Sequence, residues 1–330
     1  PPRSEMFEES WLEWAVFAAV VGIALLVDLL VANRGDREPR FRAALAWSCV
    51  WISTALAFNG FVYWRLGLEP AVNFFTAYLV EESLSIDNLF VFLAIFGYFR
   101  IPASYQRRVL FWGVLTAIIL RGLFIFGGTM LLKYFHWMFY VFGLFLIFTA
   151  WKLLRSHDEE VDPGKNPLIR FAQKHFRFTS ELHGHAFFVK EAGRWSATPL
   201  VLVLIAIEFT DVLFATDSVP AVLGISDDVF IIYSSNIFAI LGLRSLYFVL
   251  AKLLVQIRFL NYGLAGVLAF IGLKMTLSDF FHVPVLASLG VIGGLLAVSV
   301  IASLVVAHRH PAPTPPPAVG EGAAPPPALP

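Results

Sequence analysis

The 330-residue chain is 58% hydrophobic and only 15% charged, and its 24 basic and 24 acidic side chains cancel. A soluble globular protein has about 45–50% apolar and about 25% charged residues, so this composition argues against an ordinary soluble enzyme. Zero net charge argues against a strongly basic nucleic-acid binder, and we expect no nucleic acid among the partners. The single cysteine, Cys49, lies inside an apolar run and excludes an intramolecular disulfide.

Runs of about 20 apolar residues, the length that crosses a bilayer as a helix, recur along the chain. The period-two alternation of a β-barrel is absent, so the pattern predicts an all-α polytopic membrane protein surrounded by the lipid bilayer. The N-terminal stretch lacks the basic start of a cleaved signal, so we expect the first span to follow it directly. The nine predicted spans cover residues 11–32, 42–63, 73–99, 108–131, 135–152, 198–223, 229–251, 261–277 and 285–306.

Lysine and arginine are distributed unevenly over the predicted connections. One side of the membrane holds 18 of them and the other side holds three. The positive-inside rule therefore predicts that the N-terminus lies outside and the C-terminus in the cytoplasm. The remaining three bases, Arg121, Arg244 and Lys274, fall inside spans.

Two segments are polar or low in complexity. The connection 153–197 contains His183 and His185 near Glu181, which could sense a metal, although solvated loop histidines are far more common. The Pro/Ala/Gly-rich tail 311–330 has no apolar periodicity, which predicts disorder.

The chain shows an internal repeat when Asp87 is aligned with Asp217. In the same order, Arg121 matches Arg244, and a later apolar stretch ends in lysine in both copies. The repeated unit has three spans, so the second copy enters the membrane from the opposite side. This predicts an inverted repeat of spans three to five and six to eight, an architecture in which transporters bind substrate near the bilayer midplane.

The repeat also predicts how the chain is divided. Two leading helices are followed by a three-helix unit, a cytoplasmic loop, a second three-helix unit, a last helix and the tail. The corresponding ranges are 1–72, 73–152, 153–197, 198–277, 278–310 and 311–330.

Six acids lie inside spans three and six. They are Glu81, Glu82, Asp87, Glu208, Asp211 and Asp217. A charge at the bilayer centre costs roughly 2.5–3.5 kcal/mol, so these acids need internal partners. The three bases inside the spans are expected to compensate them in part and leave a deficit of three. A divalent cation would fill this deficit, or some acids are protonated, which would suit a proton-coupled carrier. Glu82 is unmatched in the repeat and its role stays open, whereas Asp28 is assigned to the membrane interface.

The geometry of span six predicts a break in its helix. Asp217 follows Asp211 by six residues, about 240° around an ideal helix, so a continuous helix directs them to different faces. Pro220 removes an amide donor and clashes with the carbonyl of Thr216, which predicts a kink or unwinding near Asp217. Bared carbonyls with Asp217 and Ser218 would then coordinate a cation.

The candidate ligands are oxygen atoms, from the carboxylates and from Asn88, Ser85 and Ser218. Such ligands favour Mn²⁺, Mg²⁺ or Ca²⁺ and argue against a zinc or copper site, without choosing among the three. We expect no tightly bound cofactor.

Two strings carry a family resemblance, EESLSIDNLFVF at residues 81–92 and EFTDVLFATDSVPAV at residues 208–222. They resemble the signatures of the TerC family of integral membrane proteins, associated with tellurium resistance. The resemblance implies a fold of the LysE-like transporter group in the bacterial inner membrane, a role in manganese export or homeostasis, and a link to tellurite and pH stress. It also implies a cation site. The matching positions are Glu81, Asp87, Glu208, Asp211 and Asp217, with Asn88 and Ser218 beside them.

We therefore expect a manganese exporter that works by alternating access, with protons from outside as the coupling ion; the direction rests on the resemblance. Arg121 and Arg244 would hold the acids apart or replace the absent ion. The alternative is a scaffold or metal-delivery partner for secreted enzymes or a tellurite-resistance complex, with 153–197 as docking surface. An enzyme is not expected, because no catalytic triad, phosphate loop or cofactor motif is found.

Overall fold

The chain forms a bundle of membrane-length helices with one short β-hairpin. The computed structural model describes residues 3–32, 41–99, 101–135, 137–155, 177–179, 182–184, 186–191, 194–253, 259–277 and 283–309. The helices in this part are α1 (Arg3–Ala32), α2 (Phe41–Leu66), α3 (Leu68–Tyr98), α4 (Ala103–Tyr134), α5 (Met138–Arg155), α6 (Pro199–Leu223), α7 (Val229–Leu253), α8 (Leu260–Thr276) and α9 (Val285–Arg309).

Each of the nine predicted spans corresponds to one of these helices, with ends that differ by at most eight residues. By length and hydropathy, seven of the helices in the described residues qualify as membrane spans. The other two are α3, which carries the first group of acids, and α8, which has only 17 residues. The predicted all-α polytopic membrane fold is confirmed.

The β-hairpin is a departure from the prediction. β1 (Phe188–Glu191) pairs antiparallel with β2 (Arg194–Ala197), directly before α6 begins. Each strand has four residues, too few for a period-two pattern to be recognised in the sequence. In the same connection His183 is exposed, whereas Glu181 and His185 lie outside the described residues, as does the tail 311–330.

Pro220 does not break α6, which runs without interruption from Pro199 to Leu223. The predicted unwinding near Asp217 is therefore wrong. Pro220 lies in the last turn, where its missing amide removes a single intrahelical hydrogen bond, and the helix still closes through the Gly224 amide, which donates to the Pro220 carbonyl over 3.0 Å.

The centre of the bundle consists of α3, α4, α6 and α7, and both α3 and α4 pack on α6 and on α7. α2 covers α3 and α7, α1 lies against α4 and α7, and α9 lies against α8 and α3. In the predicted repeat, α3, α4 and α5 correspond to α6, α7 and α8. The contact of α3 with α7 then corresponds to that of α6 with α4, and the contact of α5 with α6 corresponds to that of α8 with α3. All four contacts are present. An inverted repeat would require this pattern; the repeat and the division of the chain stay predictions.

α5 and α8 form a close pair beside the centre. A Cβ atom on Gly143 would lie 2.8 Å from the Gly272 carbonyl oxygen, and a Cβ atom on Gly272 would lie 2.6 Å from the Gly143 carbonyl oxygen. Real Cβ atoms do not approach this closely, so the two backbones can meet only because both residues are glycine.

Candidate cation site

The guanidinium of Arg121 lies between three of the central helices. Arg121 is on α4 and is fully buried. Its Nη1 donates to Glu81 Oε1 on α3 over 2.5 Å and to Ser218 Oγ on α6 over 2.7 Å, and Nη2 donates to Asp211 Oδ1 over 3.3 Å. Two carboxylates thus share one guanidinium, and when both are ionised the group carries one negative charge in excess.

Asn236 on α7 brings the fourth central helix into this group. It is fully buried, and its Nδ2 donates to Glu81 Oε2 over 2.8 Å. An ionised carboxylate only accepts hydrogen bonds, so the amide nitrogen must face Glu81 and the amide oxygen points elsewhere. Asn236 Oδ1 is buried and has no hydrogen-bond partner in the described part of the chain. The sequence prediction missed Asn236, although the polar stretch Ser234–Asn236 in an apolar span was the available signal.

Helical periodicity explains which predicted residues reach the site. Glu81 and Asn88 are seven residues apart, and so are Asp211 and Ser218; this spacing places each pair on one face of its helix, two turns apart. Asn88 is buried on α3. Asp87 also lies on α3, but its side chain is outside the described part of the structure.

Asp217 points to a different helix from Asp211. Its Oδ1 accepts a hydrogen bond of 3.0 Å from Thr149 Oγ1 on α5, and the charge of Lys152 on the same helix also acts on it. The structure therefore separates Asp217 from Arg121 and brings the neighbouring Ser218 there instead. This is the outcome that the spacing of the two aspartates predicted for a continuous helix.

Glu208 lines a cavity together with Asp211. The cavity has a volume of about 20 Å³ and lies between α3, α4, α6 and α7. Both carboxylate oxygens of Glu208 and Oδ2 of Asp211 are buried without a hydrogen-bond partner among the described residues. Thr116 also faces Glu208, but its hydroxyl donates to the Trp112 carbonyl over 2.9 Å. These oxygens are consequently free to bind a ligand.

Two of the three predicted compensating bases bind neither Glu81 nor Asp211 in the described contacts. Arg244 on α7 forms an ion pair with Asp28 on α1, and both are buried. The carboxylate of Asp28 faces Arg244 inside the bundle, and its assignment to the membrane interface stays a prediction. Lys274 lies in the last turn of α8, where the charge of Asp227 acts on it.

Glu82 faces away from Arg121, although it is adjacent to Glu81. Its Oε1 lies 3.8 Å from the position that a Cβ atom would take on Gly242 of α7. Its Oε2 is buried and has no hydrogen-bond partner in the described residues.

The possible metal ligands at the site that have no hydrogen-bond partner among the described residues are all oxygen atoms. They are Oε1 and Oε2 of Glu208, Oδ2 of Asp211 and Oδ1 of Asn236; Oγ of Ser85, one turn after Glu81 on α3, is also buried without such a partner. Oxygen donors suit hard divalent cations such as Mn²⁺, Mg²⁺ and Ca²⁺. Within the described part of the chain, no three histidine, cysteine or acidic residues are close enough together to hold a metal ion. Arg121 holds Glu81 and Asp211 instead, so an ion would have to displace it.

Comparison with known proteins places the chain in a family. The family model for the integral membrane protein TerC family matches residues 66–311. The chain is 47% identical over 298 residues to an uncharacterised membrane protein of Myxococcus xanthus, covering 90% of this chain and 93% of the relative. It is 46% identical over 308 residues to Alx of Shigella flexneri, named as a proposed membrane-bound redox modulator, covering 91% and 96%. No solved structure matches the chain. The chain belongs to the TerC family of integral membrane proteins.

Proposed function

We propose that the protein exports a hard divalent cation, Mn²⁺ in the first place, across the bacterial inner membrane. The observation that carries this proposal is the position of Arg121. A fully buried guanidinium bridges Glu81 on α3 and Asp211 on α6, the two acids that the predicted inverted repeat aligns. A cation entering between these helices would find both carboxylates already directed at one point.

In this proposal the guanidinium of Arg121 neutralises Glu81 and Asp211 when no cation is bound. A buried carboxylate that loses its partner is strongly destabilised, so Glu81 and Asp211 need a positive charge in every state of the cycle. Cation binding would displace the guanidinium from at least one acid, and release would return it. Arg121 thereby lowers the free energy of the carrier without a bound cation, so that the carrier can return to the state that binds the next ion.

The oxygen atoms without partners supply further ligands. Mn²⁺ prefers carboxylate, carbonyl and water oxygens in octahedral arrangement, and the free atoms of Glu208, Asp211 and Asn236 are of these kinds. The choice of manganese and the outward direction rest on the family resemblance. Protons moving inward are proposed as the coupling ion, because the same carboxylates can bind either protons or the cation.

The test is flux through the purified full-length chain in phospholipid vesicles that contain a Mn²⁺-sensitive dye and carry a pH gradient. Wild type is expected to show gradient-dependent Mn²⁺ flux. Asp211→Asn leaves Arg121 paired with Glu81 and is expected to lower the flux at least tenfold, because the loss of outer-shell partners alone costs about 10–100-fold in metal affinity.

A matched control is Glu13→Gln, which removes a buried acid of α1 that pairs with Arg65 on α2. This variant should retain wild-type flux. Absence of Mn²⁺ flux in wild type, or full flux in Asp211→Asn, would contradict the proposed exporter. Parallel assays with Mg²⁺ and Ca²⁺ establish the selectivity.

A second function, that of a membrane scaffold or metal-delivery partner, is favoured by the β-hairpin. Phe188 and Trp195 on its surface are 59% and 70% exposed, which suits a docking surface. The name of the relatives suggests a redox role, but the single Cys49 allows no disulfide within one chain. Mn²⁺ binding to the purified protein without flux would support the scaffold over the carrier.

A further inference from the structure

Arg244 is held at one end of the central cavity by a residue from outside the central helices. Its Nη2 binds the carboxylate of Asp28 and also donates to the Asp28 backbone carbonyl over 3.3 Å. Nη1 of Arg244 is buried and has no hydrogen-bond partner in the described part of the chain. Arg107 on α4 acts on Arg244 with a like charge, so this end of the cavity depends on Asp28 for negative charge.

The same arginine lines the cavity that contains the free acids. Arg244 on α7 and Glu208 and Asp211 on α6 all border this space of about 20 Å³, which holds roughly one water molecule. Three carboxylate oxygens of the two acids lack partners among the described residues. Arg244 therefore has two sets of carboxylates within its surroundings, Asp28 behind it and the free acids across the cavity.

α1, the helix that carries Asp28, is far less buried than α7, the helix that carries Arg244. In the most apolar stretch of α1, 28% of the residues are buried, against 83% for α7. α1 also precedes the region that the TerC family model matches, which begins at residue 66. The carboxylate that holds Arg244 thus comes from a peripheral helix of the bundle.

We propose that Asp28 is a positioning residue that keeps Arg244 away from Glu208 and Asp211, so that these acids stay available to the cation. This inference rests on the proposed function. When Asp28 does not hold it, Arg244 turns to Glu208 and Asp211 and competes with the cation for their oxygens. α1 thereby controls the affinity of a site to which it contributes no ligand.

The experiment measures the Kd for Mn²⁺ by calorimetry on the full chain in four forms: wild type, Asp28→Asn, Arg244→Gln and the double variant. Asp28→Asn is expected to raise Kd about tenfold, which corresponds to Arg244 occupying the acids in about nine molecules of ten. Arg244→Gln removes a positive charge from the cavity and is expected to bind Mn²⁺ more tightly than wild type. In the Arg244→Gln background, Asp28→Asn is expected to have no further effect.

The double variant separates positioning from a structural role. If the ion pair only held α1 in place, Asp28→Asn would weaken binding whether or not Arg244 is present, and that result would overturn the inference. Glu13→Gln, also on α1, should leave Kd unchanged. If Asp28→Asn is not recovered folded, weaker binding by Arg244→Gln than by wild type would still overturn the inference. Wild type that binds no Mn²⁺ would refute the proposed function itself, whereas a wild-type Kd with no effect of Asp28→Asn would refute the inference alone.

Discussion

At the scale of single residues, the site is organised by one arginine rather than by the acids. Arg121 has no exposed surface, so its single positive charge must be balanced by the protein. Removal of one partner from a buried ion pair costs about 3–5 kcal/mol, because the remaining charge is left uncompensated. At least one of Glu81 and Asp211 must therefore stay ionised beside Arg121.

Asn236 gives a prediction at this scale. Asn236→Ala removes the amide that donates to Glu81 Oε2 and is expected to lower the free energy of unfolding by about 1.5–3 kcal/mol, the contribution of a hydrogen bond to a charged group. Thermal unfolding in detergent measures this. Ser235→Ala is the control, because the Ser235 hydroxyl bonds only to the Ile232 carbonyl of its own helix in the described contacts. Equal losses in both variants would contradict a special role for Asn236.

The sequence identified the charged residues at the site and also Ser218, but it missed Asn236. Glu81, Asp211 and Arg121 were recognisable because charges inside apolar spans are costly and need a reason. Asn236 is neutral, and buried amides also occur in packed helices with no function, so its position gave no comparable signal. The partner of Arg244 could not be predicted either, since an acid near a helix end usually reaches the interface and only tertiary packing showed that Asp28 is buried.

At the scale of elements, the continuity of α6 decides which residues act together. Because the helix is unbroken, Asp211 and Ser218 share the face that meets α4, while Asp217 meets Thr149 on α5. The expected unwinding does not occur, although Pro220 removes one amide donor from the helix. The residues on both sides of Pro220 keep their helical conformation, and the helix continues to Leu223.

The crossing of α5 and α8 gives a prediction at this scale. Gly143→Ala is expected to lower the free energy of unfolding by about 1–3 kcal/mol, because the added methyl group collides with the Gly272 carbonyl and forces the helices apart. Gly127→Ala on α4 is the matched control, since no atom among the described residues lies within 4 Å of the added Cβ atom. Thermal unfolding should show a loss for the first variant and none for the second; an unchanged Gly143→Ala would refute the close crossing.

At the scale of the whole molecule, the sequence predicted the order of the nine helices that the described residues form, because each segment must be apolar along a full bilayer thickness. Which helices pack centrally was not predictable in this way. α9 is more apolar than α7, with a mean hydropathy of 2.6 against 1.6, yet α7 is mostly buried and α9 mostly exposed. Lipid solvates an apolar helix as well as a protein interior does, so apolar length alone does not give the packing.

Orientation is a prediction about the whole molecule. The excess of lysine and arginine, 18 against three, predicts a cytoplasmic C-terminus. A green fluorescent protein fused to the C-terminus should be bright and an alkaline phosphatase fused there should be inactive, because each enzyme or fluorophore matures on one side only. The reverse result would place the C-terminus outside and would contradict the predicted orientation.

The close approach of Gly143 and Gly272 has a consequence for how such a bundle could move. One glycine belongs to each predicted half of the molecule. α5 and α8 cannot move apart without losing the backbone contact between Gly143 and Gly272. The two predicted halves therefore contact each other through their third helices, α5 and α8. Motion between an inward-open and an outward-open shape would then carry α5 and α8 as one body past the four central helices, with the Thr149–Asp217 hydrogen bond at the joint between them.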